Sequence, residues 1–284
     1  MSLKEYVPNF NCPAGASSSG HSPRRCVEPD DWIFTFNYDT ILEKALKSKK
    51  IPYRLYPRRH KELQDTPLGR NDIIDTDHDE VILLKMHGSI NWFDKNNFNL
   101  IKSRWVRYGL DGDPKHIVFD GRIDVNQITR LVSEPHPEDD LLSNVYVLDD
   151  LSNYLKQIKY LISEEPVVIS PSYNKLINLN YLKDFWGGFA SSGLYDTRCV
   201  IIGFSLPSHD EYIRQPLYYF IRNFQGYEDP YIGKKSKLKI IDFKKTVKEI
   251  DEFKSNFRFV DENKTDYYLD GFNKDAIDVI FSKD

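Results

Sequence analysis

Short apolar runs punctuate the chain, and each stops abruptly at a polar or small residue. Trp32-Ile33-Phe34-Thr35-Phe36 ends at Asn37, and Val81 to Met86 ends at His87-Gly88-Ser89. Val167 to Ile169 ends at Ser170-Pro171, Cys199 to Ile202 at Gly203-Phe204-Ser205, and Leu238 to Ile241 at Asp242. Runs of this length without alternation predict parallel strands buried on both faces. Helical patterns lie between them. Thr40-Ile41-Leu42-Glu43 reads as a capping box opening a helix packed through Ile41, Leu42 and Ala45, which fades in Lys47-Ser48-Lys49-Lys50. Ile213, Leu217, Phe220 and Ile221 share one face of a helix starting at Asp210, with Pro216 as a potential kink. A polar helix is predicted from Thr246 to Phe253, short strands near Phe257 to Val260 and at Tyr267-Tyr268-Leu269, and a closing helix from Asn273 to Phe281.

Strands alternating with helices predict an α/β fold, a doubly wound parallel sheet of Rossmann-like type. In such sheets ligand crevices open beyond the strand C-termini, which is where Asn-x-Asp, His-Gly-Ser and Gly-Phe-Ser fall. The rhythm breaks between Phe93 and Glu165, a stretch rich in Asp, Asn, Arg and aromatics with one helical segment near Leu148 to Leu161. It is expected to form a small inserted subdomain (93–165), leaving 31–92 and 166–284 as the sheet domain. Residues 1–30 are expected to be irregular, because Asn11 to Ser22 is small, polar and turn-prone with no face to bury.

Composition narrows the function classes. The chain has 284 residues, 40% hydrophobic and 14% aromatic, enough for a packed core. A net charge of −4 offers no basic field for nucleic acid. No apolar run is long enough to span a membrane and no signal-peptide core is visible, so a cytoplasmic protein is expected. Cys12, Cys26 and Cys199 are far apart and odd in number, which argues against both a disulfide framework and a zinc site. The basic run Arg54, Arg58, Arg59, His60 and Lys61 reads as a solvated face. Gly187-Gly188 follows no strand and reads as a helix bend.

The strand-end residues each admit a plain structural role. A strand-end Asn such as Asn37 commonly bonds local backbone, Asp39 suits a helix N-cap, and a lone His at the place of His87 is more often structural. Gly203 fits an ordinary strand-to-helix turn, and Asp242 or Asp210 can cap the next helix. His209 lies in the turn before Asp210, while the remaining histidines lie in polar segments.

Taken together, the motifs resemble one family. Thr35-Phe36-Asn37-Tyr38-Asp39 resembles the sirtuin-type Thr-x-Asn-x-Asp motif, and Lys85-Met86-His87-Gly88-Ser89 its catalytic His-Gly motif. Val168 to Lys175 with Phe185-Trp186, and Ile202 to Asp210, are similar to successive segments of bacterial Sir2-like proteins. Ile240-Ile241-Asp242 and Asp270-Gly271-Phe272-Asn273 follow in the same order. The resemblance spans about residues 25 to 284 and implies a sirtuin-type NAD-binding fold with NAD as substrate or ligand. It implies that Asn37 and His87 manage a water or ribose hydroxyls and that Asp39 holds the nicotinamide carboxamide. Thr35, Ser89, Gly203, Ser205 and Asp242 would bind the rest of the dinucleotide.

The chain departs from the family in two places. The zinc-binding cysteines of deacylase-type sirtuins are missing, which points to the zinc-free branch met in bacterial anti-phage defence. The Gly-Ala-Gly-x-Ser phosphate loop is only echoed by Pro13-Ala14-Gly15-Ala16-Ser17, and a proline there has no N–H to give a phosphate, so Gly15 and Ser17 form a reduced cofactor loop. The helices that usually follow that loop do not fit before Trp32, as in a shortened homologue or a non-natural N-terminus. Three readings stay open: an NAD glycohydrolase cleaving the nicotinamide–ribose bond through an oxocarbenium-like state, a non-catalytic NAD or ADP-ribose binding module, and an NAD-dependent protein deacylase. The partner expected is NAD. A homo-oligomer is compatible with the sequence, and neither nucleic acid nor membrane is expected.

Overall fold

The structure, a computed structural model, describes residues 31–55, 60–66, 69–74, 79–112, 114–116, 118–120, 123–132, 141–157, 166–168, 189, 193–194, 196–207, 211–227 and 234–282. These fall into two compact units, residues 31–168 and 189–282.

The first unit is built on a parallel sheet of order β1–β5–β2. Strand β1 is Trp32–Thr35, β2 is Tyr53–Leu55 and β5 is Val81–Lys85. β5 lies in the middle and all five of its residues are buried, as its unbroken apolar run predicts. Among the described residues β1 is an edge strand of this sheet. Trp32 is 41% exposed and the other three residues are half-buried, so the full burial expected of this strand is not met. Helix α1 (Ile41–Ser48) returns the chain from β1, and a backbone turn at 49–51 leads into β2. β2 replaces the expected solvated basic face at Arg54. Its guanidinium Nε lies 2.6 Å from Glu80 Oε2, in a half-buried ion pair. An antiparallel hairpin, β3 (His60–Thr66) with β4 (Gly69–Ile74), separates β2 from β5 in sequence.

Beyond β5 the chain enters the stretch expected to be an inserted subdomain. It falls within the first unit and forms an antiparallel sheet of its own, order β6–β8–β7. The strands are β6 (Trp92–Asp94), β7 (Ile128–Arg130) and β8 (Val145–Leu148). Asp94 caps helix α2 (Lys95–Arg107) by accepting from the Asn96 N–H at 2.8 Å. Phe93, Val118, Ile123, Leu148 and Tyr154 close a small core under this sheet, with helix α3 (Leu151–Gln157) contributing Leu151 and Tyr154. At the described residues of the helical segment expected near 148–161, Leu148 ends β8 and α3 follows over Leu151–Gln157, while 158–161 lie outside the described residues. The expected parallel strand at Val167 is not found at its described residues. Val168 makes an isolated antiparallel bridge with Gly88 instead, and Ile169 lies outside the described residues.

The second unit carries a parallel sheet of order β11–β10–β9: β9 (Val200–Ile202), β10 (Leu238–Ile241) and β11 (Thr265–Tyr268). Helix α4 (Glu211–Gly226) buries Ile213, Leu217, Phe220 and Ile221, the face read from the sequence, and runs through Pro216 without ending. Helix α5 (Val247–Asn256) begins with a complete capping box between Thr246 and Glu249. Helix α6 (Lys274–Phe281) is capped by Asn273, whose side chain accepts from the Ala276 N–H, and packs Ala276 and Ile280 onto Ile241. No strand forms at 257–260. Phe257 is the C-cap of α5, and a turn closes with the Val260 N–H donating to its carbonyl at 2.9 Å. Its apolar pattern reflects aromatic packing of Phe257 against Phe253 and Phe259.

Both units are thus α/β with parallel strands joined through helices, the local grammar of a Rossmann-like fold. No helix among the described residues is long and apolar enough to cross a membrane.

Candidate functional site

In the first unit the ends of β1 and β5 lie side by side, because the two strands pair in parallel and in register from Trp32–Ile82 to Thr35–Lys85. Whatever follows them must emerge at one sheet edge. Residues 36–40 and 86–90 do so, and the bonds between them are specific. The Met86 N–H donates to the Thr35 carbonyl at 2.9 Å, extending the ladder one step. The Tyr38 carbonyl accepts twice, from the Ile90 N–H and from the Ser89 hydroxyl, both at 3.0 Å. Asp39's carbonyl accepts from the Lys85 ammonium. Asn37, Asp39 and His87 are therefore brought together on two loops that are tied to each other.

Asn37 is exposed. Its own N–H donates to the Thr35 hydroxyl at 3.2 Å, while among the described residues its carboxamide makes no hydrogen bond. A free carboxamide at a strand end offers both a donor pair and an acceptor to a ligand. Asp39 is half-buried, and its Oδ1 accepts from the Ile41 N–H at 3.0 Å, so the local turn role and a ligand role share this carboxylate. Thr35, expected among the dinucleotide contacts, has its hydroxyl oxygen occupied by the Asn37 N–H.

His87 is buried, only 4% exposed. Its ring meets Phe36 edge-on at 5.2 Å between centroids and stacks near Tyr38 at 5.8 Å. Removing the ring would open a cavity between these aromatics, so His87 serves packing as well as any chemistry. Gly88 follows with φ +77°, and a Cβ there would stand 2.1 Å from the Val167 carbonyl oxygen. The glycine of the His-Gly pair is required on both counts. Ser89 differs from expectation. Its side chain is fully buried with the hydroxyl donating to Tyr38, so it holds the neighbouring loop rather than facing an open crevice.

Beneath these loops lies a pair that sequence reasoning missed. Lys85, 1% exposed, sits 3.1 Å from Glu43 Oε1 on α1, and Glu43 is itself buried. The expected capping box at Thr40 does not form, because Glu43 turns inward to Lys85 and the Thr40 side chain makes no capping bond. The buried face of α1 is accordingly Glu43, Ala45 and Leu46, with Ile41 exposed. The available signal was a lysine closing an otherwise aliphatic buried run, with an acid on the earlier helix α1.

The remaining predicted residues belong to the second unit. Gly203 has φ +63° with open space on its Cβ side, and its N–H donates to the Ile241 carbonyl at 2.8 Å. Ser205 is exposed and its carbonyl accepts from Asn256 Nδ2 at 3.1 Å. Asp242, half-buried, accepts from the Phe243 N–H at 2.6 Å and lies 2.9 Å from the Lys244 ammonium through the same Oδ1. Gly15, Ser17, His209, Asp210, Gly187-Gly188 and 170–175 lie outside the described residues, as do Cys12 and Cys26. Cys199 is buried, which pushes its thiol well above the usual range. Among the described residues no group of three His, Cys, Asp or Glu is placed to hold a metal ion.

The loops of the first unit define a Sir2-like constellation, Asn-x-Asp beside His-Gly at adjacent parallel strand ends. Residues 31–119 match the SIR2-like domain family, so the segment that carries Asn37, Asp39 and His87 is Sir2-like. No curated protein matches the chain.

Proposed function

We propose that this chain binds NAD at the Asn37–Asp39 and His87 loops and cleaves its nicotinamide–ribose bond with water as acceptor. The observation that supports this reading is the pairing of an exposed Asn37 carboxamide with an imidazole on a neighbouring strand end, inside the SIR2-like segment. When bound, NAD would supply a glycosidic bond whose breaking leaves a cation at the ribose. Asn37 would orient water or a ribose hydroxyl, His87 would hold or accept a proton at a ring nitrogen, and the Asp39 carboxylate would accept from the nicotinamide amide. Within the second unit taken by itself, Gly203 is proposed as a point of close backbone approach for a phosphate or ribose, Ser205 as a hydroxyl contact and Asp242 as a ribose ligand. A role in anti-phage defence belongs to the same proposal.

A second reading is favoured by the burial of His87. A ring enclosed by Phe36 and Tyr38 has little access to a water, which suits a protein that binds NAD or ADP-ribose without turning it over.

The test is nicotinamide release from NAD by the full chain, with Asn37→Ala and His87→Gln. Asn37 is exposed, so its loss spares the core. Glutamine at 87 keeps polarity and part of the volume. The hydrolase reading expects turnover in the wild type and a fall of about 10²–10⁴-fold in each variant. Saturable NAD binding without nicotinamide release, weakened in both variants, would establish the binding module instead. Acetylated peptide altering the product would revive deacylation.

A further inference from the structure

β5 is four aliphatic residues followed by one cation, and all five are buried. Packing alone would be served by a fifth aliphatic side chain. A buried ion pair is commonly no more stabilising than well-packed apolar residues of the same volume. Lys85 therefore calls for another explanation, and its contacts supply one. The ammonium reaches Glu43 on the helix that leaves the Asn-x-Asp loop, and the Asp39 carbonyl within that loop. The next carbonyl back, at Tyr38, is held by the Ser89 hydroxyl and the Ile90 N–H. Two successive carbonyls of the Asn37–Asp39 loop are thus gripped by donors from residues 85, 89 and 90, and His87 lies between those donors. Glu43's carboxylate has no hydrogen bond among the described residues beyond its approach to Lys85, so its charge is committed to that ammonium.

We propose that Lys85 and Glu43 are positioning residues, which fix the Asn37–Asp39 loop against the His87 ring from beneath. The proposal rests on reading that loop and His87 as the functional site. Neither residue touches a ligand. Each acts through the Asp39 carbonyl, and so through the placement of the loop that carries Asn37.

The experiment compares the full chain with Lys85→Met, Glu43→Gln and the double variant Lys85→Met/Glu43→Leu. Three readouts are taken: the thermal unfolding midpoint, the His87 imidazole carbon-bound proton signal by NMR (assigned by its loss in His87→Gln), and nicotinamide release. Lys85→Met leaves a buried carboxylate alone and is expected to unfold at much lower temperature. The double variant removes both charges and is expected to recover most of that loss. Even so, its His87 signal should move, and kcat should fall about 10–100-fold, as for a site displaced by a fraction of an ångström to an ångström. KM should rise as well, since the displaced loop carries the Asn37 and Asp39 contacts proposed for NAD. Glu43→Gln keeps the volume and should shift the His87 signal in the same direction but less, and it stands in if the double variant does not fold. A stable double variant, or Glu43→Gln, with the wild-type His87 signal overturns the proposal. If the wild type releases no nicotinamide, the hydrolase reading fails by itself, and the His87 signal still decides the positioning role.

Discussion

Thr40-Ile41-Leu42-Glu43 and Thr246-Val247-Lys248-Glu249 carry the same Thr-x-x-Glu pattern, each shortly after a parallel strand and an aspartate, yet they fold by different means. At Thr246 the backbone is extended (φ −123°, ψ 153°), its hydroxyl accepts from the Glu249 N–H, and the Glu249 carboxylate accepts from the Lys245 and Thr246 N–H groups. Asp242 likewise bonds Phe243 and Lys244, so the side-chain hydrogen bonds and the ion pair of this turn stay within four residues, while the Lys244 ammonium also lies over the Phe253 ring. At Thr40 the backbone is not extended (φ −109°, ψ 22°) and the hydroxyl caps nothing. Glu43 has left for Lys85, and the loop is secured by donors 46 and 51 residues away in sequence. One turn is capped locally and its cap faces water. The other gives up its local cap for buried contacts between two strand ends. The second is where the candidate site lies, in keeping with a site whose geometry is fixed by its surroundings rather than by its own turn.

The sharpest way to break this contrast is to remove the buried cation. Lys85→Met should cost roughly 3–5 kcal/mol, the usual penalty for stranding one partner of a buried pair. Denaturant unfolding measures it, and a loss under about 1 kcal/mol would place the pair among surface-like ion pairs.

Lowering the pH probes the same difference between interior and surface. His116 is buried against Phe93, Phe98 and Phe119, and burial outweighs the attraction of Asp120, lowering its pKa from 6.5 to about 4. The unfolded chain binds the proton first, so stability is complete above about pH 6.5 and falls as pH drops toward 4. The loss should reach about 2–3 kcal/mol at the bottom of that window. Glu249 behaves in the opposite chemical sense. Hydrogen bonds from the Lys245 and Thr246 N–H groups hold its pKa below the ordinary 4.5, so its contribution is present above that value and is lost only in stronger acid. Unfolding midpoints from pH 7 to 4 should therefore fall in the wild type and flatten in His116→Phe, with Glu249→Gln leaving the curve between pH 5 and 7 unchanged in slope.

Gly88→Ala tests the loop beside His87. A methyl at φ +77° is strained by about 1–3 kcal/mol, and the Val167 carbonyl 2.1 Å away forces main chain to move as well. The variant should lose stability in that range or beyond and shift the His87 NMR signal. Gly203→Ala also has positive φ but meets no atom within 4 Å, so it should cost only the backbone term.

How much of this could be read beforehand follows from where the contacts come from. β5, β9, β10, the buried face of α4 and the caps of α5 and α6 rest on local composition and period, and the sequence displays them. The joint placement of Asn37, Asp39 and His87 was also legible, since adjacent parallel strands put their following residues at one edge. Partner choice was not. Nothing in Tyr53-Arg54-Leu55 announces a strand beside β5, and nothing in Ser89 distinguishes a ligand hydroxyl from one donating to Tyr38. The inward turn of Glu43 depends on Lys85, 42 residues later, while the local pattern pointed to a cap. Aromatic spacing at Phe257 and Phe259 imitated a strand because side chains packed around a turn also alternate.

The smallest effect is also the cleanest comparison, because the two threonines are alike in sequence and differ only in what their hydroxyls do. Thr246→Ala deletes the acceptor of the Glu249 N–H and half of a capping box, which should cost about 1 kcal/mol. Thr40→Ala deletes a hydroxyl with no capping bond, and alanine is the better helix former, so stability should stay within about 0.5 kcal/mol of wild type. Chemical denaturation of both variants in parallel decides the matter, since a difference between two measurements on one scaffold is more secure than either value. Equal losses would mean that Thr40 caps α1 in solution after all. Glu43 would then be drawn back toward the helix start, away from Lys85, and the claim that the candidate site is held from beneath would lose its first support. A clear loss at 246 with none at 40 would show that the chain spends its local cap where no site needs to be placed and withholds it where one does.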